Sequence, residues 1–331
     1  MLAGLKIVEF EGIGPGPLAG MILADMGAEV TVIGRKGGNA LARQLNLAEG
    51  PDRLSRGKRR VEIDLKSPEG IAQALDLVGQ ADALIEGNRP GVMERLGLSP
   101  AICLARNPKL VFGRMTGWGQ SGPLAQTAGH DLNYIALTGL MGMGGGRMAP
   151  QRPPATLGDA TGAIGLAFGI VCAVYSAQKT GRGRVVDAAI VDIMAMLGSL
   201  AHVLADSGQI NGENPSAFYD SPFYDIYECA DGNWISIGCL EPQFYALLLE
   251  KLGLTDVDPR RQYEVEQWPS LKARLTALFR GQPRQRWCEL LEGTDVCFAP
   301  VLTLAEAARH PHNQAREVFA AGWANPAPRF S

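Results

Sequence analysis

The opening of the chain places a helical stretch between two short apolar runs, and this order limits the folds available to it. Residues 5–10 and 29–33 are apolar and partly β-branched, and residues 18–26 carry apolar side chains at helical spacing. A strand, a helix and a strand in succession are typical of a parallel sheet with helices packed on it. The sequence therefore predicts an α/β opening.

The same alternation continues through the first half of the chain. Further strands are predicted over residues 61–65, 83–86 and 109–115, and further helices over residues 69–78, 160–178 and 187–206. The predicted fold is therefore α/β, with a Rossmann-like, doubly wound large domain over residues 1–190.

The pattern changes after residue 190. Residues 191–220 are expected to hold a helix and a linker rich in Asn, Gly, Ser and Pro. Residues 223–229 and 234–238 are predicted strands, and the Ala-Asp-Gly-Asn between them is a strong hairpin signal. A smaller α+β domain is thus predicted over residues 221–315, and residues 316–331 are expected to run back to the large domain.

Composition narrows the class of protein. Charged residues make up 20% of the 331 residues and the formal net charge is −3, which argues against a nucleic-acid or membrane-surface binder. Residues 160–178 are uncharged, but their polar residues and glycines favour a buried core helix over a membrane span. The first ten residues suggest no signal peptide. The six cysteines include no C-x-x-C pair, so neither a metal centre nor a disulfide framework is predicted. This pattern favours a cytoplasmic location.

The glycine-rich loop after the first strand lies where a dinucleotide fingerprint would be. In residues 12–17 (GIGPGP) proline replaces the third glycine, and Pro15 and Pro17 lack N–H groups for a pyrophosphate. The second strand ends at Gly34, Arg35 and Lys36, where an NAD-binding protein would carry an acid. Basic residues there favour a ribose phosphate, as in NADP or coenzyme A, and the altered loop favours coenzyme A. Other basic residues before position 100 suit a polyanionic ligand, although an ordinary solvated surface explains them equally well.

Candidate acid–base residues lie at predicted helix starts. His130 and Asp131 precede an apolar helical stretch, Asp159 opens the helix over residues 160–178, and Glu241 precedes Pro242. A helix start stabilises negative charge, so the N–H of Asp131 is a candidate oxyanion donor. Plain helix caps explain the same positions, and for Glu241 taken alone a surface cap is the better interpretation.

Taken together, these segments resemble the α-methylacyl-CoA racemases of the family III CoA-transferase superfamily. The resemblance covers nearly the whole chain, and it is specific because the segments occur in the family's order and spacing. They are residues 12–17 (GIGPGP), 87–97 (GNRPGVMERLG), 115–123 (MTGWGQSGP), 128–134 (AGHDLNY), 158–163 (GDATGA), 224–232 (YDIYECADG) and 240–245 (LEPQFY).

The resemblance implies roles for individual residues. The family's catalytic histidine, aspartate and glutamate fall on His130, Asp159 and Glu241. An interlocked homodimer is implied, in which Glu241 of one chain joins His130 and Asp159 of the other. Coenzyme A is expected as part of an acyl-CoA substrate, with no separate cofactor, at a site formed by Ile13, Arg35, Lys66, Arg89, Arg95 and Tyr134.

The implied reaction is racemisation at C2 of 2-methylacyl-CoA thioesters by two-base, 1,1-proton transfer through an enolate. His130, supported by Glu241, serves one face of C2 and Asp159 serves the other. One alternative is a CoA-transferase with Asp159 as nucleophile, and another is a non-catalytic subunit that binds coenzyme A. An NADP oxidoreductase is disfavoured by the prolines of the glycine loop.

Three features depart from the family pattern. Asn88 replaces an aromatic residue, and Ala160-Thr161 replaces Phe-Gly after the aspartate. Both leave the acyl preference open. The chain also stops at Ser331, where relatives continue, and this suggests a truncated carboxyl terminus.

Overall fold

A computed structural model describes residues 1–35, 37–38, 44, 53–143, 150, 152–210 and 214–331. The chain divides into two units. The first unit comprises Met1–Met141, Arg152–Ser199 and Pro326–Ser331, and the second comprises Gly142–Gln151 and Leu200–Asn325. This division into units does not test the domain boundaries expected from the sequence, which remain predictions.

A parallel sheet forms the centre of the first unit. Within the described residues its six strands lie in the order β3-β2-β1-β4-β5-β6, and every neighbouring pair is parallel. The strands are β1 (Lys6–Phe10), β2 (Glu29–Gly34), β3 (Lys58–Glu62), β4 (Ala83–Glu86), β5 (Val111–Thr116) and β6 (Arg184–Ala189). The strand order changes direction between β1 and β4, as in doubly wound folds. The predicted α/β fold is therefore confirmed.

Helices cover both faces of this sheet. They are α1 (Pro15–Asp25), α2 (Pro68–Gly79), α3 (Val92–Arg95), α4 (Pro100–Arg106), α5 (Asp131–Leu137), α6 (Leu140–Met143), α7 (Leu157–Thr180) and α8 (Ile190–Leu197). The chain then continues into α9 (Ser199–Asp206), most of which belongs to the second unit. The central strands are buried on both faces, which explains why they are continuous apolar runs in the sequence.

Alternate side chains of these strands belong to two separate cores. Ile7 of β1 and Ile85 of β4 lie in a first core cluster, with residues of α1, α5, α7 and α8. Val8 and Leu84 lie in a second core cluster, with residues of α2, α3 and α4. Because successive strand residues point to opposite faces, the sheet separates one core from the other.

Helix α7 is the longest helix of the first core. Among the described residues it alone is long and apolar enough to cross a membrane by length and composition, a test that core helices of soluble proteins also pass. One side packs in the first core cluster. The other carries Ile164, Phe168 and Tyr175, which are 59%, 70% and 60% exposed. Such a stripe suits a protein interface, but the implied homodimer stays a prediction, which sedimentation of the chain would test.

Two elements differ from their predicted positions. The third strand is Lys58–Glu62 rather than residues 61–65, and all of its residues are partly or fully exposed, as expected at the edge of a sheet. The residues predicted as one helix over 187–206 instead finish β6 and then form α8 and α9. Pairing with β5 defines β6, and this long-range contact has no local signature.

The second unit has an antiparallel sheet and its own core. Strands β7 (Tyr224–Glu228), β8 (Trp234–Gly238) and β9 (Phe298–Val301) pair in that order. The predicted hairpin is present, with β7 and β8 antiparallel. Residues of α10 (Pro242–Lys251), α11 (Trp268–Phe279) and α12 (Arg284–Leu291) bury their apolar sides against this sheet. Short elements complete the chain: α13 (Leu304–Ala307), α14 (Pro311–Ala315), β10 (Phe319–Ala320) and β11 (Trp323–Ala324).

Candidate active site

His130 lies at the start of α5, where the chain enters the helix from an extended conformation. It is the N-cap residue, with φ −134° and ψ 173°. Its backbone N–H donates to Asn133 Oδ1 at 3.0 Å, which fixes the entry to the helix. The residue is exposed and borders a cavity of about 150 Å³ together with Arg89 and Tyr134.

Asp131 connects the start of α5 to the start of α7. Its Oδ2 accepts the backbone N–H of Thr156 at 3.1 Å, and its Oδ1 accepts that of Asp159 at 2.8 Å. Both donors belong to the cap and first turn of α7, where N–H groups lack partners within the helix. The carboxylate therefore satisfies two of them and holds Asp159 next to the loop of His130.

Asp159 lies in the first turn of α7 and is half-buried. Burial, and after it the charge of Asp131, raise the pKa of its carboxyl to about 6, and the charge of His130 opposes this shift. A Cβ on Gly14 would lie 3.1 Å from Asp159 Oδ2, and Gly14 has φ +78°. The glycine-rich loop thus passes close to this carboxyl. An acid with such a pKa can gain or lose a proton near neutral pH.

The ring of Tyr134 supports the loop that leads to His130. Its hydroxyl donates to the carbonyl of Gly129, and its ring packs edge-on against Trp118 with centroids 4.7 Å apart. A Cβ on Gly117 would lie 2.0 Å from the ring, so glycine is needed there. Burial and the charge of Asp159 raise the pKa of the Tyr134 hydroxyl, and Arg89 opposes this.

A larger cavity of about 750 Å³ lies at the carboxyl ends of β1, β2 and β3. Ligands of doubly wound folds bind at this edge of the sheet. Its floor comes from residues of the second core cluster, including Phe10, Ile33 and Ile63. Arg35 and Lys66 line it, and so do the acids Glu11, Glu62 and Asp64. Asn88 borders both this cavity and the one with His130.

Glu11 organises the basic residues beside the larger cavity. Its Oε2 accepts the backbone N–H of Arg35 at 3.0 Å and lies 3.6 Å from Arg35 Nε. Its Oε1 lies 2.8 Å from a guanidinium nitrogen of Arg60. The Arg35 side chain remains 63% exposed, which leaves its guanidinium accessible to an anion. Lys36, grouped with Arg35 on the sequence, lies outside the described residues.

The other predicted binding residues lie on nearby segments of the first unit. Ile13 is in the glycine-rich loop and partly exposed. Arg95 ends α3, and a Cβ on Gly91 would lie 3.1 Å from its guanidinium. Ile13 and Arg95 border neither of the two cavities described above. The predicted coenzyme-binding residues thus divide between the cavity walls and their surroundings.

Glu241 lies in the second unit, where it is the exposed N-cap residue of α10. Its charge raises the pKa values of the Tyr263 hydroxyl and the Cys297 thiol, where burial is the larger cause. The cap position agrees with the interpretation based on Pro242. Its pairing with His130 of another chain stays a prediction.

The sequence interpretation missed an ionic cluster behind the loop that carries Asn88 and Arg89. Glu86, fully buried at the end of β4, accepts the backbone N–H of Asn88 at 2.7 Å and Arg114 Nε at 2.8 Å. Arg114 also donates to Glu94 at 2.9 Å. Burial raises the pKa of Glu86, while Asn88 and Arg114 lower it. An acid and an arginine inside two apolar strands were the available signal, because such charges are buried only when paired.

The match to CoA-transferase family III extends over residues 2–325, and the chain belongs to this family. Alpha-methylacyl-CoA racemase of Mus musculus is 39% identical over 326 residues, covering 96% of this chain and 82% of the relative. Acetyl-CoA:oxalate CoA-transferase of Acetobacter aceti is 30% identical over 336 residues, covering 96% of this chain and 84% of the relative. A crystal structure of a CAIB/BAIF family protein from Brucella suis matches with a TM-score of 0.83 at 26% identity, covering 100% and 92%.

These similarities confirm the resemblance on which the sequence interpretation depended. They also confirm the expectation that the chain is a racemase-like enzyme, since the relatives named alpha-methylacyl-CoA racemase belong to the isomerases. They support racemase or family III transferase activity and do not separate the two. The roles assigned to individual site residues stay predictions.

Proposed function

We propose that the chain racemises 2-methylacyl-CoA thioesters at C2. The observation that carries this proposal is the arrangement of Asp159 beside the His130 loop, with the Asp159 pKa raised to about 6. A carboxyl that exchanges protons near neutral pH, next to an imidazole, provides two groups that can each act as acid or base. The similarity to racemases over nearly the whole chain supports the same reaction.

In the proposed mechanism His130 and Asp159 serve opposite faces of C2. One group removes the proton of C2, the thioester becomes an enolate, and the other group delivers a proton to the opposite face. The oxyanion accepts a hydrogen bond from the backbone N–H of Asp131 in the first turn of α5, a preorganised dipole of the kind that stabilises developing charge. Glu241 of a second chain orients His130.

A CoA-transferase is the second candidate. It is favoured by the lack of a side chain on the residue of the glycine-rich loop that lies next to Asp159. Gly14 brings no side chain between the loop and the Asp159 carboxylate, so this oxygen can also attack a thioester carbonyl. The acid would then form an acyl anhydride and release the coenzyme A thiolate. The transferase among the relatives supports this alternative.

Racemisation is tested by incubating the protein with one enantiomer of a 2-methylacyl-CoA in deuterated water. The expected result is a near-equal mixture of enantiomers with deuterium at C2, because the proton that returns comes from solvent-exchanged bases. Chiral analysis and mass spectrometry measure both. Acyl transfer to an added carboxylic acid, without deuterium at C2 and with an adduct on Asp159, would decide for the transferase. Coenzyme A binding with neither reaction would leave the non-catalytic subunit.

We also propose that the larger cavity binds the nucleotide end of coenzyme A, with Arg35 at the 3′-phosphate. Arg35→Ala is expected to weaken coenzyme A binding about tenfold, as the loss of one charge-assisted contact at a solvent-exposed site. Dephospho-coenzyme A, which lacks this phosphate, should bind the variant and the unchanged protein alike. Isothermal titration calorimetry measures both ligands.

The matched control is Arg106→Ala, since Arg106 is similarly exposed and pairs with Asp76 on the surface. It should leave both affinities unchanged. Equal losses for coenzyme A and dephospho-coenzyme A in Arg35→Ala would place Arg35 away from the 3′-phosphate. Tight NADPH binding without coenzyme A binding would refute the proposed ligand.

A further inference from the structure

The amino-terminal end of helix α7 is capped by Asp131, a residue from a distant part of the sequence. Thr156, its N-cap residue, makes no side-chain cap bond and has φ +69°, a left-handed conformation that is unusual for threonine. Its hydroxyl donates to the carbonyl of Ala155 instead. The side chain of Asp131 supplies the missing acceptors for the N–H groups of Thr156 and Asp159.

We infer that the Asp131 carboxylate is a positioning residue for Asp159, which it holds in place through the backbone while setting a second negative charge against the Asp159 carboxyl. This role is distinct from that of the Asp131 backbone N–H. It rests on the proposed function only in taking Asp159 as a reacting group. Asp131 thereby fixes the orientation of Asp159 relative to His130 and raises the affinity of the Asp159 carboxyl for a proton.

The orientation follows from the two hydrogen bonds. Asp131 stands in the first turn of α5, directly after His130, so a rigid link between α5 and α7 sets the distance between the two proposed bases. Space is tight around this link, because a Cβ on Gly158 would lie 2.9 Å from Asp131 Oδ1. A longer or shorter acid at position 131 would therefore move Asp159 relative to His130.

The proton affinity follows from the charges that face Asp159. From α5 these are Asp131 and His130, with the Tyr134 hydroxyl close enough to be affected by Asp159. Gly14, on the glycine-rich loop, brings no charge. Asp131 opposes ionisation of Asp159 and His130 favours it. Loss of the Asp131 charge should therefore lower the pKa of Asp159, because a neighbouring like charge is what disfavours the ionised form.

The test measures the proton affinity directly on the protein without substrate. The carboxyl carbons of aspartate are labelled with ¹³C, and Asp159→Asn assigns the Asp159 signal. In the unchanged protein this carboxyl should titrate near pH 6. In Asp131→Asn, which keeps the shape but removes the charge, the midpoint should fall by about one pH unit. The variant Asp131→Ser also removes the charge and keeps a hydrogen-bond acceptor on a shorter side chain, and its midpoint should fall as well, which provides a second measurement if the asparagine variant does not fold.

Ser99→Ala is the matched control, because Ser99 caps α4 by accepting the N–H of Ile102 and lies outside both cavities. It should lower thermal stability while leaving the Asp159 midpoint unchanged. An unchanged midpoint in both neutral variants at position 131 would overturn the inference and reduce Asp131 to a structural cap. Because the titration needs no turnover, a protein that binds coenzyme A but racemises nothing can still pass or fail this test.

Discussion

Asp159→Ala is expected to lower racemisation of either 2-methylacyl-CoA enantiomer by about 10²–10⁴-fold, the range by which general acid–base groups accelerate reactions. The reason is that inversion needs a proton removed on one face of C2 and a proton delivered on the other. Asp159→Ala removes the proposed base of the second face. His130→Ala should cause a loss of similar size. Rates of enantiomer interconversion measure both.

The two variants should differ from each other in one respect. Each retains one base, so each should still exchange the C2 proton of a single enantiomer with retention, and the two variants should prefer opposite enantiomers. Glu69→Ala, which removes an acid from the first turn of α2, is the control and should racemise at the unchanged rate. Near-normal racemisation by Asp159→Ala would contradict the two-base mechanism.

Arg114→Met is expected to lower the free energy of unfolding by about 3–5 kcal/mol, since it leaves the buried acid Glu86 without its ionic partner. Burial already raises the pKa of Glu86, and loss of Arg114 removes an opposing contribution. The folded variant therefore binds a proton more tightly than the unfolded chain does, so its stability falls as pH rises. The deficit should be larger at pH 8 than at pH 5, and urea unfolding at the two pH values measures it.

Arg106→Met is the control for this pair. Arg106 and Asp76 are both well exposed, so breaking their ion pair should cost less than about 1 kcal/mol at either pH. If the Arg114→Met deficit were equally small, or did not change with pH, Glu86 would not depend on Arg114 for its charge. The loop that carries Asn88 and Arg89 would then be held by other contacts.

Much of the sheet could be predicted because its central strands are buried on both faces. The apolar runs that become β1, β2 and β4 are visible in the sequence. The edge strand Lys58–Glu62 was misplaced because its side chains are largely polar and partly exposed. The last three residues of β6, from Asp187 on, fall within the predicted helix because Ala188 and Ala189 run directly into the apolar helix α8.

For the candidate site, the sequence indicated which residues take part but not which of them are in contact with one another. His130, Asp159 and Glu241 stand at helix starts, which have a local signature, and the family resemblance singles them out as candidate catalytic residues. The bonds of Asp131 to Thr156 and Asp159 span 25 and 28 residues. The pairing of Glu11 with Arg60 likewise joins the residue that follows β1 to β3. Such contacts depend on the assembled sheet, so a single sequence carries no periodic trace of them.

The division of the first unit into two cores has a consequence for how such proteins diversify. The larger cavity lies on the second core cluster, whereas α5 and α7, which carry His130 and Asp159, lie on the first. Substitutions that reshape one face of the sheet can therefore accumulate without displacing atoms on the other. If the larger cavity binds coenzyme A as proposed, its walls can stay unchanged while the residues around His130 and Asp159 change. The relatives of this chain include proteins named as racemases and proteins named as transferases.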